Sequence, residues 1–152
     1  VVAALKRRRG GSQLLAYRVR GDWEDVHAED VNAYIKRNSD QTFTAKDFRT
    51  WNASVLAAVA LAAHRERGVG KSARERVVSQ SIKAVAAYLG NTPAVCRASY
   101  VDPRVIDRYH AGVTIAPALE KLPSNAPDLA NPHIRKRVEE VVLELLADAR
   151  SR

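Results

Sequence analysis

The chain has 152 residues, 46% of them hydrophobic and 28% charged, which excludes a wholly disordered polypeptide and predicts one domain with a real core. No run approaches about 18 consecutive apolar residues, so no transmembrane helix is expected, and the single cysteine, Cys96, excludes an internal disulfide framework and a cysteine-based structural zinc site. Lys and Arg number 25 against 17 Asp and Glu, a net charge of +8 that favours a polyanionic partner, nucleic acid or a membrane surface, with solubility alone as the plain alternative.

Charge is uneven along the chain. Residues 1–20 hold Lys6, Arg7, Arg8, Arg9, Arg18 and Arg20 and no acid; Asp22, Glu24, Asp25, Glu29 and Asp30 come next. The basic run ends at Gly10-Gly11. Leu14 to Val19 reads as a short strand turning at Gly21. Val31, Tyr34 and Ile35 sit at helical spacing in a helix of about ten residues. Thr44 with Asp47 forms a capping box, and Phe43 and Phe48 fall at the staple positions. The helix they open runs through the alanine-rich segment Ala53–Ala63 and is expected to be the buried central one. Gly68 and Gly70 break the chain. Ser72 with Glu75 repeats the capping box, and Val78, Ile82, Val85 and Leu89 keep one helical face, with Gly90 suited to the position after the helix end. Thr92-Pro93 and Asp102-Pro103 each read as a cap followed by the first helical residue. Residues 111–131, rich in Pro, Ala and Asn, read as irregular. Asn131-Pro132 starts a last helix with Ile134, Val138, Val141 and Leu145 on one face. Alanine, a strong helix former, is the commonest residue, and the fold class expected is mainly α, with at most a short β segment near residues 14–26.

Four chemistries can be weighed against these elements. His27, His64, His110 and His133 are scattered and show no metal-ligand spacing. No G-x-S-x-G is present, and Cys96, beside Arg97 in a short helix, reads as a half-buried small residue. Gly70-Lys71-Ser72 resembles the end of a P-loop, but Arg65 stands where the first glycine belongs, and a helix precedes it instead of a strand. The fourth set is Arg49 near the start of a capped helix, Asn91 before one capped helix and Tyr100 before another. Arginine, asparagine and tyrosine at such places can bind a phosphate and attack it. Taken singly, they also read as an ion-pair partner, a turn residue and a packing residue.

Two segments tip this balance. Thr44-Ala45-Lys46-Asp47-Phe48-Arg49-Thr50-Trp51 and Leu89-Gly90-Asn91-Thr92-Pro93-Ala94-Val95-Cys96-Arg97-Ala98-Ser99-Tyr100, the latter followed by Val101-Asp102-Pro103, resemble the catalytic domain of type IB DNA topoisomerases, in particular the small bacterial and viral branch. Asp30-Val31-Asn32-Ala33-Tyr34-Ile35 is similar too, so the resemblance covers roughly residues 1–110. It implies the helical catalytic fold shared with tyrosine recombinases. It also implies an enzyme that relaxes supercoiled DNA. A tyrosine hydroxyl attacks a phosphodiester, a 3′-phosphotyrosyl link forms, a 5′-hydroxyl leaves, and the reverse attack reseals the strand. Bond energy is kept in the link, so neither ATP nor a metal is required. The implied partner is double-stranded DNA, with no membrane, and the implied state is a monomer in the cytoplasm, associated with the nucleoid.

On this resemblance Tyr100 is the nucleophile and Arg49 matches the second catalytic arginine, whose planar fork can hold two phosphate oxygens. Asn91 stands where the family usually has histidine, which leaves it a neutral hydrogen-bond donor. Lys46 and Arg97 are implied DNA-backbone contacts. The family's earlier arginine and its hairpin lysine, the general acid, are expected upstream of Val1. The absence of any methionine agrees with a trimmed or processed piece, expected to be a single domain forming the C-terminal part of the catalytic domain, and inactive alone. Lys6 and Arg7–Arg9 read instead as a solvated or DNA-facing helix end. A tyrosine recombinase is the nearest rival, but its His-x-x-Arg and Leu-Gly-His boxes meet Lys46 and Asn91 here. A non-catalytic helical DNA-binding domain would keep the charge and give Tyr100 no chemistry. Tyr109, in the helix after Pro103, reads as a packing residue.

Overall fold

A computed structural model describes residues 2–8, 13–40, 42–64, 70–122 and 127–147. The expected breaks at Gly10-Gly11 and Gly68, together with Arg9, Arg65 and residues 123–126, lie outside the described residues. The described chain is mainly helical, with one two-stranded sheet. In order the elements are α1 (Val2–Lys6), β1 (Ala16–Val19), β2 (Asp22–Asp25), α2 (Ala28–Arg37), α3 (Ala45–Ala63), α4 (Lys71–Leu89), α5 (Pro93–Ser99), α6 (Pro103–His110), α7 (Ala116–Leu119) and α8 (Pro132–Ala147). Contacts divide the chain into a unit from Val1 to Phe48 and a larger one from Arg49 to Arg152.

In the first unit, β1 and β2 pair antiparallel, with Ala16 opposite Asp25 and Arg18 opposite Trp23. The turn needs left-handed backbone at both central residues, Arg20 (φ 51°) and Gly21 (φ 104°), the conformation that matches the twist of a tight hairpin. The expected strand is thus present, trimmed to Ala16–Val19, and the acidic run supplies its partner. One expectation fails here. Lys6 and Arg7 are exposed, but Arg8 is not part of a solvated helix end. Its side chain is 4% exposed and pairs with Asp25 at 2.5 Å. It also donates to the Gln13 carbonyl and lies 6.0 Å from the Trp23 ring centre. The hairpin folds its acidic strand back onto the basic run, and a carboxylate offsets the cost of burying the guanidinium.

Helix α2 occupies the expected ten residues, and the Asp30 carboxylate accepts the His27 N–H at its start. Val31 and Tyr34 stay exposed, and Ile35 is half-buried. At Thr44 only half of the expected box forms. The Asp47 carboxylate accepts the Thr44 N–H at 2.8 Å, but the Thr44 hydroxyl donates to that same carboxylate at 2.6 Å instead of accepting a backbone N–H. These bonds, the hydroxyl first, hold the Asp47 carboxyl below the ordinary carboxylate range. Phe43 and Phe48 are both exposed.

The second unit is built around α3. Ala53, Ser54, Val55, Ala57, Ala58, Leu61 and Ala62 are all buried, as a helix apolar on nearly every side requires. Val78, Ile82 and Val85 of α4 join the core on the expected face, with Leu89 packed at its edge. Helix α4 starts two residues earlier than expected. Gly70 in extended backbone is the cap and Lys71 the first helical residue, so Ser72 lies inside the helix and does not cap it. Residues 111–131 are not wholly irregular either. Pro117 falls in the first turn of α7, where its fixed φ favours a helix, and Ile115, Ala116 and Leu119 are buried. The last helix starts at Asn131-Pro132 as expected, and the Asn131 side chain accepts the His133 N–H at 3.0 Å. Its buried residues are Val138, Val142, Leu145 and Leu146, with Val141 half-buried. Two arginines of α6 reach its C-terminal carbonyls, Arg104 to Leu146 at 3.3 Å and Arg108 to Leu145 at 3.2 Å. Arg135, near its start, donates to Asn52 of α3 at 3.2 Å.

The end of α4 positions Asn91 and α5. Gly90 adopts left-handed backbone (φ 67°). Its N–H bonds the Ala87 carbonyl, and the Asn91 N–H bonds the Ala86 carbonyl at 2.9 Å. These paired bonds are a Schellman motif, which only glycine enters without a Cβ penalty. Gly90→Ala is expected to destabilise the fold by about 1–2 kcal/mol, measured by chemical denaturation. An unchanged midpoint would contradict the left-handed cap.

Candidate active site

Asn91 and Tyr100 flank one short helix. The Schellman turn fixes the backbone of Asn91. The Thr92 hydroxyl then accepts the Val95 N–H, and Pro93 opens α5. At the far end Tyr100 caps the helix, its N–H on the Cys96 carbonyl at 3.1 Å. Asp102 begins α6 by accepting the Arg104 N–H at 2.9 Å and holding the Arg104 guanidinium at 2.7 Å. Both proline starts therefore cap as the sequence predicts.

Arg49 joins the two ends of this segment. Its Nη2 donates to the Leu89 carbonyl at 2.5 Å, two residues before Asn91. Its guanidinium carbon lies 5.0 Å from the centre of the Tyr100 ring, a cation–π contact. The carbonyl end of α4 is the negative end of that helix dipole, so it attracts the guanidinium. In the sequence Arg49 belongs to the start of α3. Its head group in fact acts at the end of α4, because a side chain this long spans the gap to the next helix.

Two donors at this place have no acceptor. Arg49 Nε and Asn91 Nδ2 are buried, and neither has a hydrogen-bond partner among the described residues. A buried donor left unpaired costs about 1–3 kcal/mol, more for a charged group. A phosphodiester, with two non-bridging oxygens and a negative charge, is an acceptor of the kind such donors require. Cys96, in the helix between Asn91 and Tyr100, is fully buried, not half-buried as its place in the sequence suggests. Burial pushes its thiol up, and the Arg49 charge pulls partly the other way.

Residues 11–126 match the family described as eukaryotic DNA topoisomerase I, catalytic core. The chain belongs to this topoisomerase I family. A DNA topoisomerase 1B of Acanthamoeba polyphaga mimivirus is 31% identical over 86 residues, which is 55% of this chain and 26% of the relative. The chain thus spans about a quarter of the length of that viral topoisomerase.

Of the residues that the topoisomerase resemblance singles out, Arg49 and Tyr100 are in contact, and Asn91 follows two residues after the Leu89 carbonyl that accepts from Arg49. Lys46, in the first turn of α3, and Arg97, in the last turn of α5, are exposed. Tyr109 is buried in α6, with its ring edge-on to His110. Hairpin β1–β2 carries no lysine. No group of three or more His, Cys, Asp or Glu among the described residues is placed to hold a metal ion. Sequence reasoning missed Ser54, the buried hydroxyl on α3 that accepts the Asp102 N–H. A serine within a run of buried alanines was the available signal, since a polar group there needs a partner. With its thiol buried and raised, Cys96 is expected to react with an alkylating reagent at least about tenfold more slowly in the folded protein than in denaturant. Equal rates would contradict the packing around it.

Proposed function

We propose that this chain supplies the nucleophile and two phosphate-binding residues of a type IB topoisomerase of the small viral and bacterial branch. The reading is carried by one observation. Arg49, lying against Tyr100, and Asn91 present buried donors that lack an acceptor among the described residues. On this reading Arg49 binds the non-bridging oxygens of a DNA phosphodiester, and Asn91 adds a neutral hydrogen bond. The Tyr100 hydroxyl gives its proton to water as its oxygen attacks phosphorus, the bond to the 5′-oxygen breaks, and the leaving oxygen takes a proton from the family's lysine general acid to become a 5′-hydroxyl. Return of that hydroxyl breaks the phosphotyrosyl bond and releases Tyr100. Lys46 and Arg97 contact the backbone of double-stranded DNA. No ATP or metal enters these steps. Such a protein acts as a monomer on the chromosome in the cytoplasm.

The remaining machinery lies elsewhere on this reading. The family's first arginine and hairpin lysine belong to sequence N-terminal to this chain, which forms the C-terminal part of one catalytic domain. Residues 1–152 alone are then expected to relax supercoiled plasmid negligibly, since loss of a general acid by itself costs about 10²–10⁴-fold.

The test uses the full-length polypeptide that contains this sequence, with a nicked or suicide DNA substrate. A covalent adduct stable to SDS is expected, and Tyr100→Phe abolishes it. Arg49→Ala lowers the cleavage rate by about 10²–10³-fold. An undiminished adduct in Tyr100→Phe would remove the assignment. A second outcome concerns pH. Asparagine does not titrate, so position 91 itself contributes no loss of rate between about pH 7 and 9. In Asn91→His the imidazolium is present below its pKa near about 6.5 and is lost as pH rises through it, so cleavage acquires a dependence there. A pH profile identical in the two proteins would argue against Asn91 touching the phosphate.

A further inference from the structure

Ser54 is a polar side chain in the apolar middle of α3, only 2% exposed. Its hydroxyl oxygen accepts the Asp102 N–H at 2.9 Å. Its proton is donated to the Thr50 carbonyl at 2.9 Å, and the Tyr100 carbonyl lies 3.5 Å away. One hydroxyl thus touches the backbone on both sides of Val101, the residue after Tyr100. Ser54 stands five residues after Arg49 on the same helix. The segment it holds has no regular structure, because Tyr100 ends α5 and Asp102 caps α6. Without this bond the joint between two short helices has no tie to α3 through the Asp102 N–H.

Resting on the reading of Tyr100 as nucleophile, we propose that Ser54 is a positioning residue that holds the Tyr100 backbone in register with the helix that carries Arg49. Both groups must face one phosphorus atom for attack. Arg49 is fixed along α3 and by the Leu89 carbonyl. Tyr100 sits at a helix end, where small shifts of a C-terminal turn are cheap. A hydroxyl accepting one bond and donating another fixes the joint in position and direction, which an apolar side chain of the same size does not. The hydroxyl also has two carbonyls within reach for a single proton, on Thr50 and on Tyr100. Transfer of the donor bond to Tyr100 tightens the same joint.

The experiment compares Ser54→Ala with Val142→Ala in the full-length polypeptide containing this sequence. Val142 is fully buried in α8, so its truncation destabilises the same unit without touching the joint. Both are assayed where circular dichroism shows them folded. Single-turnover cleavage and duplex affinity are read separately. Ser54→Ala is expected to slow cleavage by about 10–10²-fold, since small misplacements of reacting groups cost this much, while affinity stays within about twofold and Val142→Ala cleaves normally. Cleavage within about twofold of the parent in Ser54→Ala overturns the proposal, as does an equal loss in Val142→Ala. Should Ser54→Ala fail to fold, Ser54→Cys keeps the volume with a weaker acceptor, and the same limits apply to it. The two readings fail separately. An adduct that persists in Tyr100→Phe removes the nucleophile assignment, whereas normal cleavage in the Ser54 variant with adduct lost in Tyr100→Phe removes only the positioning role.

Discussion

The guanidinium of Arg49 is where three parts of the larger unit meet. It starts from α3, takes the last carbonyl of α4 as its acceptor and lies against the ring of Tyr100. The final carbonyls of a helix have no partner within it, so a cation there serves the helix end as well as itself. The Schellman turn at Gly90 makes this possible. It reverses the chain directly after Leu89 and delivers Asn91, then α5, then Tyr100, to the place the arginine has reached. Loss of the turn would move all three.

The same logic recurs elsewhere in the molecule. Arg104 and Arg108 meet the carbonyl end of α8, Arg74 meets the His110 carbonyl at 2.6 Å, and Arg8 is held by Asp25. Several of the basic residues behind the net charge of +8 are therefore engaged internally. Charge alone points to a polyanion but overstates how many cations are available to one. Arg49 differs from Arg104, Arg108 and Arg74 in keeping a buried N–H without an acceptor among the described residues. Arg8 also has an unpaired buried nitrogen, but it faces a carboxylate in its own unit.

Much of this was legible in the sequence, and for identifiable reasons. The caps at Thr92-Pro93, Asp102-Pro103 and Asn131-Pro132, and the left-handed Gly90, follow from local backbone chemistry, and all appear at the expected residues. The alanine-rich helix is buried because it has no polar face to show water. What escaped depends on partners distant in sequence. Arg8 looks solvated until the hairpin brings Asp25 beneath it. Ser72 looks like a cap until Gly70 takes that place. Pro117 and its alanine neighbours look like loop, yet a proline in a first turn starts a helix as readily as it ends one. Arg49, Asn91 and Tyr100 each have a plain reading when taken singly. The role proposed for them together comes from the resemblance of two motifs to the topoisomerase family, and the contact between Arg49 and Tyr100 joins residues on separate helices, beyond the reach of any local rule.

On the proposed reading, Arg49 and Asn91 hold donors prepared for a phosphate beside Tyr100. Nitrogen-15 NMR reads both donors directly, through the Arg49 Nε–H and the Asn91 side-chain amide. During titration with duplex DNA the two signals are expected to shift together and saturate at one concentration, with Tyr100 ring signals following the same curve. Donors that stay unmoved while signals near the exposed Lys46 and Arg97 shift would contradict the claim, because DNA would then be bound without entering the site.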